Sequence, residues 1–592
     1  MNSKQLLTNI EMKVINIKRE NNSLPLELVE QIDILSISKD EYSHLYVEPE
    51  NILILPTIMD IDGALSYDGV RCALNIYLDY INASVDNFSI VLLSSESKAS
   101  FYTHCEYADI LKCPNVYFVQ NNLRAISDWI HKHEIKSLKK SDAILHLKSI
   151  KLTPPVAFGS HHSIINEWSI YKWSKNLGLS DIKISSEIEN ELYFKHLTTI
   201  YDLHANMGTG EIPSMPAGKV LLIDDEADKG WKDLFTAFFS KSNTQFFCID
   251  SSVFRASSHE KVESAIIDDI KNIDPDVIIL DMRLIESDHD STQSHNYTGI
   301  RILKKIKEEI NKGIQVIGFT ASNKVWNYLE WSDNGQGIDD IIVKESPELS
   351  DDESYTNNSM KHLEDGIRKG IERASFLKNV DAKFKTVQPL ILATDIQFYE
   401  DVKHNFVVAY ELIKSYKVDK KYVAYAYLQM FQILENYLDL LTEWDGDDYI
   451  LYHDNLEYRL LSKKTGSKEC DCAMKNYDGR GNFSFGKETY LLNRNFIEAN
   501  FKMSAYLIYV FGCNKVPGSW MDIRSTRNKL VHDGYNPKES EFLKLLKYLE
   551  FFFDPSKIKP RLESDALGKP IQSNVSNTLG NLGVLQNMFS KK

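Results

Sequence analysis

The sequence predicts a multidomain protein in which two α/β regions precede a helical C-terminal region. Up to Lys344, short apolar runs alternate with helical patterns, as they do in doubly wound parallel sheets. From about Asp395 to Phe553, apolar residues recur almost wholly at helical spacing. A chain of 592 residues is long enough for about three or four domains. We expect an N-terminal α/β domain over residues 1–215 and a parallel-sheet domain over residues 216–375. A helical bundle is expected over residues 376–555, and a flexible tail over residues 556–592.

The composition narrows the class of protein. A net charge of −16 argues against a general nucleic-acid coat or a membrane-surface protein, and 43% hydrophobic residues are ample for packed cores. Seven scattered cysteines are typical of a reduced cytosolic protein. No apolar run reaches the roughly 20 residues of a membrane span, and the N-terminus has no signal-peptide pattern. We therefore expect a cytoplasmic protein without a membrane segment.

Four apolar runs of the second α/β region each end on polar residues. The first run ends on Asp224 and Asp225, and the second ends on Asp281. The third ends on Thr320, and the fourth ends on Lys344. In doubly wound sheets the ligand site lies beyond the carboxyl ends of the parallel strands. We therefore expect these five side chains to meet in one pocket.

Acids, a hydroxyl and a lysine in one pocket favour phosphoryl chemistry with a divalent metal. Converging carboxylates repel each other unless a hard cation lies between them, and Mg²⁺ prefers oxygen ligands. A lysine and a hydroxyl beside that metal suit a dianionic phosphoryl group, which Asp281 would accept.

This set of residues closely resembles the receiver domain of bacterial two-component response regulators, over roughly residues 218–375 and including the run 299–306. The resemblance implies a phosphoryl donor, either a sensor histidine kinase or a small phosphodonor. It also implies that Asp281 is the phospho-acceptor and that Asp224, Asp225 and Asp281 hold Mg²⁺. Thr320 would be the switch hydroxyl, and Lys344 would pair with the phosphoryl group.

Two features depart from the family pattern. The position three residues before the lysine, which is usually aromatic, is Ile341. The loop between Asp281 and Gly299 is long and polar, from Glu286 to Asn296. The first weakens the expectation of the usual threonine–aromatic switch, and the second suggests altered access to the site. The alternative is a degenerate receiver that is retained only as a scaffold.

The N-terminal region repeats the α/β pattern without the chemistry. Strands are expected at residues 51–56, 89–93 and 115–119, with a helix at 67–80, and Ser94 lies where a switch hydroxyl would. No acidic pair follows the first strand, and no lysine follows the last. The pattern predicts a sensor domain or a degenerate receiver-like domain.

The C-terminal region carries one sharp motif, Arg527-Asn528-x-x-x-His532. Ser519 is a plausible N-cap of its helix, and Gly534 follows the helix end. At about 100° per residue, Arg527 and His532 lie about 140° apart around the helix axis. We also expect a helix at residues 359–377, which would carry the chain out of the receiver-like region. Three long helices are expected at residues 422–442, 496–511 and 539–553, and a polar loop at residues 444–487.

A motif of this kind in a helical C-terminal domain resembles the HEPN superfamily, over roughly residues 395–555. Many of its members are ribonucleases that need no metal and act as dimers. The resemblance implies that His532 is the general base on the ribose 2′-hydroxyl, that Arg527 holds the scissile phosphate and that Asn528 orients either group. One alternative is a non-catalytic HEPN-like dimerisation or binding module, in which Arg527 pairs with an acid such as Asp522 or Glu539. The other is an unrelated helical bundle.

Together the two resemblances imply a phosphorylation-regulated homodimer that cleaves RNA, a logic similar to that of bacterial stress and anti-phage effectors. Phosphorylation of Asp281 would reorient the helical domain through residues 359–377. The competing hypothesis is a non-catalytic response regulator whose helical domain binds a protein partner. Sequence-specific DNA is not an expected partner, because the chain is acidic and has no helix-turn-helix with a basic recognition helix.

Overall fold

Two compact units make up the chain. The first comprises residues 1–305 and 315–372, and the second comprises residues 306–314 and 373–592. We describe them from a computed structural model that covers residues 14–18, 33–36, 52–58, 67–153, 161–179, 192–201, 211–255, 258–290, 296–321, 337–347, 353–415, 419, 421–454, 456–462, 469–477, 483–489, 499–513, 515–516 and 518–558.

The first unit begins with a parallel sheet of five strands. Its strands are β1 (Val14–Lys18), β2 (Asp33–Ser36), β3 (Ile52–Pro56), β4 (Ser89–Ser94) and β5 (Val116–Gln120), in the spatial order β2-β1-β3-β4-β5. The apolar runs of β3 and β4 are almost completely buried, as expected for strands that are covered on both faces. The strands that the sequence predicts in this region are therefore present.

A second parallel sheet of five strands follows in the same unit. Its strands are β6 (Lys219–Ile223), β7 (Gln245–Cys248), β8 (Val277–Leu280), β9 (Gln315–Thr320) and β10 (Asp340–Val343). Their spatial order is β7-β6-β8-β9-β10, so the second sheet repeats the strand order of the first. In each sheet the first strand in sequence, β1 or β6, has the second strand on one side and the remaining strands on the other. Such a change of direction opens a crevice at the carboxyl ends of the strands.

Helices connect and cover these strands. The helices of the first unit are α1 (Asp68–Asn82), α2 (Lys98–His104), α3 (Leu123–Lys132), α4 (Lys140–Leu147), α5 (His161–Asn176), α6 (Leu192–Ile200), α7 (Trp231–Phe238), α8 (His259–Ile273), α9 (Glu286–Asp290) and α10 (Thr298–Lys305). A π-helical turn, Ile306–Ile310, directly follows α10.

The second unit is built around helices. They are the last part of α11 (Glu353–Thr394), then α12 (Ile396–Lys414), α13 (Lys421–Leu441), α14 (Ala499–Tyr509), α15 (Gly518–Asp533) and α16 (Glu539–Phe552). The three long helices that the sequence predicts are present. The helix predicted at residues 359–377 is part of α11, which is much longer and contributes residues 353–372 to the first unit. No helix in the described part of the chain is long and apolar enough to cross a membrane.

The prediction of a polar loop at residues 444–487 is wrong, since antiparallel strands lie there. They are β11 (Thr442–Asp445), β12 (Asp448–His453), β13 (Leu456–Ser462), β14 (Glu469–Tyr477) and β15 (Phe483–Thr489), and β15 also pairs with β16 (Lys515–Val516). Gly446 and Asp454 take positive φ angles of 60° and 51° in the two tight turns that flank β12. Glycine and aspartate favour such turns, so the polar residues mark hairpins and the second unit is not all-α.

Candidate functional site

The carboxyl ends of four strands in the second sheet bring the predicted pocket residues together. Ile223 of β6 is in register with Leu280 of β8, so the next residues, Asp224 and Asp281, lie side by side. On the other side, the backbone N–H of Lys344 donates to the carbonyl oxygen of Thr320, at 2.8 Å. All of the core positions expected from the sequence thus lie at one edge of the sheet.

Three carboxylates form the acidic side of this pocket. Ligand oxygens of Asp224, Asp225 and Asp281 all lie within 4.8 Å of one another. Asp224 is fully buried and Asp281 is nearly so. Burial, reinforced by the neighbouring carboxylates, raises the pKa of Asp225 to about 8, and burial also raises the pKa of Asp224 to about 6. A hard divalent cation would relieve this repulsion, and an all-oxygen donor set fits Mg²⁺.

Lys344 supplies the positive charge of the pocket. Its Nζ lies 2.9 Å from Oδ2 of Asp224 and 2.7 Å from Oδ2 of Asp281, and its side chain is fully buried. Burial alone would lower the pKa of Lys344, but the two carboxylates outweigh it and raise that pKa above its usual value. The ammonium is therefore a fixed cation directly beside the oxygen that would accept a phosphoryl group.

Aromatic rings enclose that ammonium. The Nζ of Lys344 lies 4.7 Å from the ring centroid of Phe319 and 5.4 Å from that of Trp231, the first residue of α7. Ile341, where the receiver family usually has an aromatic residue, is nearly buried in β10. The sequence reasoning missed Trp231, whose only signal was its place at the start of a helix shortly after the acidic pair.

A glycine lets the helix after the acceptor strand approach closely. A Cβ added to Gly299 in α10 would lie 2.3 Å from the carbonyl oxygen of Asp281. Only glycine fits there without moving the backbone that carries Asp281. The same contact occurs in the first sheet, where a Cβ on Gly69 would lie 1.8 Å from the carbonyl oxygen of Pro56.

The first sheet has different residues at the matching positions. Asn121 donates its backbone N–H to the carbonyl oxygen of Ser94, at 2.9 Å, as Lys344 does to Thr320. Ser94 therefore matches Thr320. By the strand register, Pro56 pairs with the residue before Ser94, and Asp281 lies beside the residue before Thr320, so Pro56 matches Asp281. Proline carries neither a nucleophile nor a metal ligand. The first sheet therefore repeats the topology of the second without a carboxylate at the position of Asp281.

The HEPN-like motif lies on α15, but its two main residues do not converge. Arg527 is half-buried, and its Nη2 lies 3.2 Å from Oε1 of Glu435 on α13. Its guanidinium also lies 5.6 Å from the ring centroid of Phe431. His532 is exposed one turn further on, before Gly534 ends the helix with a φ of 65°. The acid that pairs with Arg527 is thus Glu435.

One of the two acids that the sequence suggested for Arg527 has a different partner. Asp522 forms an ion pair with Lys544 of α16. Burial raises the pKa of Glu539, at the start of α16. The helix α15 begins at Gly518, so Ser519 lies inside it rather than capping it.

A polar face of α15 surrounds His532. Residues four apart along the helix share this face, so the shallow pocket beside it is lined by Met521, Arg524, Ser525, Asn528, Lys529, His532 and Asp533. Asn528 and His532, predicted from the motif, are in it, and Arg527 is not. Arg524 also lines this pocket, four and eight residues before Asn528 and His532.

No model of a known protein family matches this sequence, and a search of curated proteins finds no match either. The proposed chemistry of the two sites therefore stands on their residues and geometry.

We expect the full chain to bind Mg²⁺ in the acidic pocket and Asp225→Asn to weaken that binding by about tenfold or more, because ligand charge sets the affinity for hard cations. Asp225 is the informative position because Lys344 forms its ion pairs with the other two carboxylates, those of Asp224 and Asp281. Isothermal titration calorimetry measures the affinity. Asp228→Asn, which removes an exposed carboxylate three residues along the chain, should leave it unchanged. Equal affinities for wild type and Asp225→Asn would contradict a metal site here.

Arg527 and Glu435 should show an energetic coupling of about 1 kcal/mol in a double-mutant cycle, since the pair is only partly shielded from solvent. Urea unfolding of wild type, Arg527→Ala, Glu435→Ala and the double variant measures it. A coupling near zero would mean that the ion pair does not hold Arg527 in place.

Proposed function

We propose that this protein is an effector controlled by phosphorylation of Asp281. The observation that carries the proposal is the buried Lys344 ammonium held between Asp224 and Asp281, with Asp225 completing an all-oxygen cluster at the strand ends. Scaffold residues seldom keep two buried carboxylates against one buried ammonium, with a third carboxylate beside them, since burying charges is costly. A phosphoryl-transfer site needs this arrangement, because charge develops on oxygens beside the acceptor.

Each residue of the pocket has a distinct part in this proposal. A carboxylate oxygen of Asp281 attacks the phosphorus of the donor, and the bond between phosphorus and the donor's leaving group breaks. Asp224, Asp225 and Asp281 would hold Mg²⁺, which would offset the charge of the carboxylates and of the incoming phosphoryl oxygens. Lys344 turns from Asp281 to a phosphoryl oxygen, and the Thr320 hydroxyl donates to another. A sensor histidine kinase or a small phosphodonor supplies the phosphoryl group.

RNA cleavage is the output that we propose for the second unit. The face of α15 presents His532 beside the cations of Arg524 and Lys529, a combination that suits a polyanion with a proton to remove. His532 would take the proton from the ribose 2′-hydroxyl. The 2′-oxygen would then bond to phosphorus as the bond to the 5′-oxygen breaks. The 5′-oxygen would take up a proton from water, leaving a 2′,3′-cyclic phosphate and a 5′-hydroxyl. A homodimer would bring two such faces to one RNA, and no metal takes part.

The contacts of Arg527 favour a second candidate. Its ion pair with Glu435 and its position over the ring of Phe431 are the contacts of a packing residue. A module that binds a protein partner or a second copy of this chain needs no general base. His532 therefore separates the two candidates.

We expect purified full-length protein to cleave total cellular RNA, and His532→Ala to abolish that cleavage. Val531→Ala is the matched control, since Val531 is an exposed neighbour outside the polar face. Beryllofluoride with Mg²⁺, which mimics a phosphoryl group, should change the cleavage rate of wild type and leave that of Asp281→Asn unchanged. Cleavage products should end in a 2′,3′-cyclic phosphate.

Two results would count against this proposal in different ways. Absence of cleavage, with beryllofluoride still changing the oligomeric state of wild type, would support the binding module instead. Cleavage that His532→Ala does not affect would place the activity elsewhere.

A further inference from the structure

Helix α5 lies before the second sheet in sequence but packs against that sheet in the first unit. Trp173 of α5 is fully buried. Its ring centroid lies 5.4 Å from that of Trp231 and 5.9 Å from that of Phe319. These are the two rings that enclose the Lys344 ammonium. One wall of the pocket is thus backed by a helix from outside the receiver-like segment.

Asn166 of α5 makes a second contact, next to the acidic pair. Its Nδ2 donates to Oε2 of Glu226, and its Oδ1 accepts from Nε1 of Trp231 at 3.3 Å. Glu226 directly follows Asp225, and its other carboxylate oxygen lies 2.9 Å from Nζ of Lys229. These contacts fix the turn that carries the acidic pair.

The third contact is to Glu345, directly after Lys344. The Glu345 carboxylate is fully buried, and the Nζ of Lys172 in α5 lies 3.7 Å from its Oε1. The Ser169 hydroxyl donates to the backbone carbonyl of Glu345 at 2.8 Å. Thr356 of α11 donates to the same carboxylate at 2.9 Å. A lysine from α5 thus compensates a buried acid whose neighbour is the phosphoryl-pairing lysine.

The three contacts share one property. Glu226, Phe319 and Glu345 are the immediate neighbours in sequence of Asp225, Thr320 and Lys344. A shift of α5 would therefore move the backbone of three pocket positions together. Transfer chemistry is sensitive to such shifts, because a misplacement of about 1 Å can cost about a hundredfold in rate.

The opposite face of α5 connects to the first α/β domain. Ile164, Trp168 and Tyr171 pack against Phe194 and Leu197 of α6. In turn α6 is tied to α1, since Lys195 donates to Asn75 at 2.8 Å and forms an ion pair with Asp79. A continuous chain of buried contacts thus runs from the first sheet's helices to the phosphoryl pocket.

We propose that Lys172, Ser169 and Asn166 of α5 are positioning residues for phosphoryl transfer to Asp281, through which the first α/β domain sets the rate of that transfer. The inference rests on the proposed phosphorylation of Asp281. Lys172 is the key residue, because removing it takes an ammonium away from the buried Glu345 carboxylate, and removal of one partner of a buried ion pair is strongly destabilising. The end of β10 would relax to solvate that charge, and Lys344 would lose its fixed place.

The test is the rate at which full-length protein takes up a phosphoryl group from acetyl phosphate. In this reaction an Asp281 oxygen forms a bond to phosphorus, the bond from phosphorus to the acetyl oxygen breaks, and acetate leaves. We expect Lys172→Met to slow the uptake by about tenfold, as loss of an outer-shell partner commonly does. Lys172→Arg should restore the rate, because it keeps the charge.

Lys175→Met is the matched control. It removes an ammonium from the same helix, but Lys175 lies over the ring of Tyr171, 5.5 Å from its centroid. Its rate should equal that of wild type. If thermal unfolding shows that Lys172→Met is not folded at the assay temperature, Asn166→Ala carries the same comparison, with a slower uptake expected.

The outcomes separate the inference from the proposed function. Uptake by wild type at a rate that neither Lys172→Met nor Asn166→Ala changes would overturn the role of α5 and leave the chemistry of Asp281 standing. No uptake by wild type would overturn both. Equal slowing by Lys172→Met and Lys175→Met would also overturn the inference, since it would show a general effect of charge.

Discussion

The ion pairs that the buried Lys344 ammonium forms with Asp224 and Asp281 are the interaction on which the phosphoryl pocket depends. The ammonium lies within hydrogen-bonding distance of Asp224 and Asp281, in a place that water does not reach. Without it, the buried carboxylates of Asp224 and Asp281 would lie together with no ammonium between them, which proteins avoid. With it, the pocket still carries an excess of negative charge, so a hard cation fits. Lys344 therefore supports the pocket, and in the proposed phosphoryl transfer it is the group that would pair with the phosphoryl oxygens.

The two sheets share one topology but differ in the side chains at their matching strand ends. Both have the same strand order, and both use a glycine to seat a helix against the end of the third strand. At the positions that match Asp281 and Lys344 of the second sheet, the first sheet has Pro56 and Asn121. A fold thus provides positions, and the residues at those positions decide function. Helix α5 packs against the second sheet and, through α6, against α1 of the first, so the region without the chemistry contacts the region that has it.

Much of the phosphoryl pocket could be predicted from the sequence, because buried parallel strands appear as apolar runs and the polar residues after them must lie at one edge. Contacts between distant segments could not be predicted. Asn166 and Glu226 are 60 residues apart, and Ser169 and Glu345 are 176 apart, with no periodic signal to join them. The same holds for Arg527, whose partner Glu435 is 92 residues away. The strands near β12 were missed because their polar turn residues suggested a loop.

The most direct test of this account is to locate the phosphoryl group. Full-length protein is incubated with acetyl phosphate and Mg²⁺, and the acyl phosphate is trapped by reduction with borohydride and mapped by peptide mass spectrometry. The account predicts one modified residue, Asp281, and none in the Asp281→Asn variant. Modification of another residue, or none in the wild type under conditions in which Mg²⁺ binds, would contradict it.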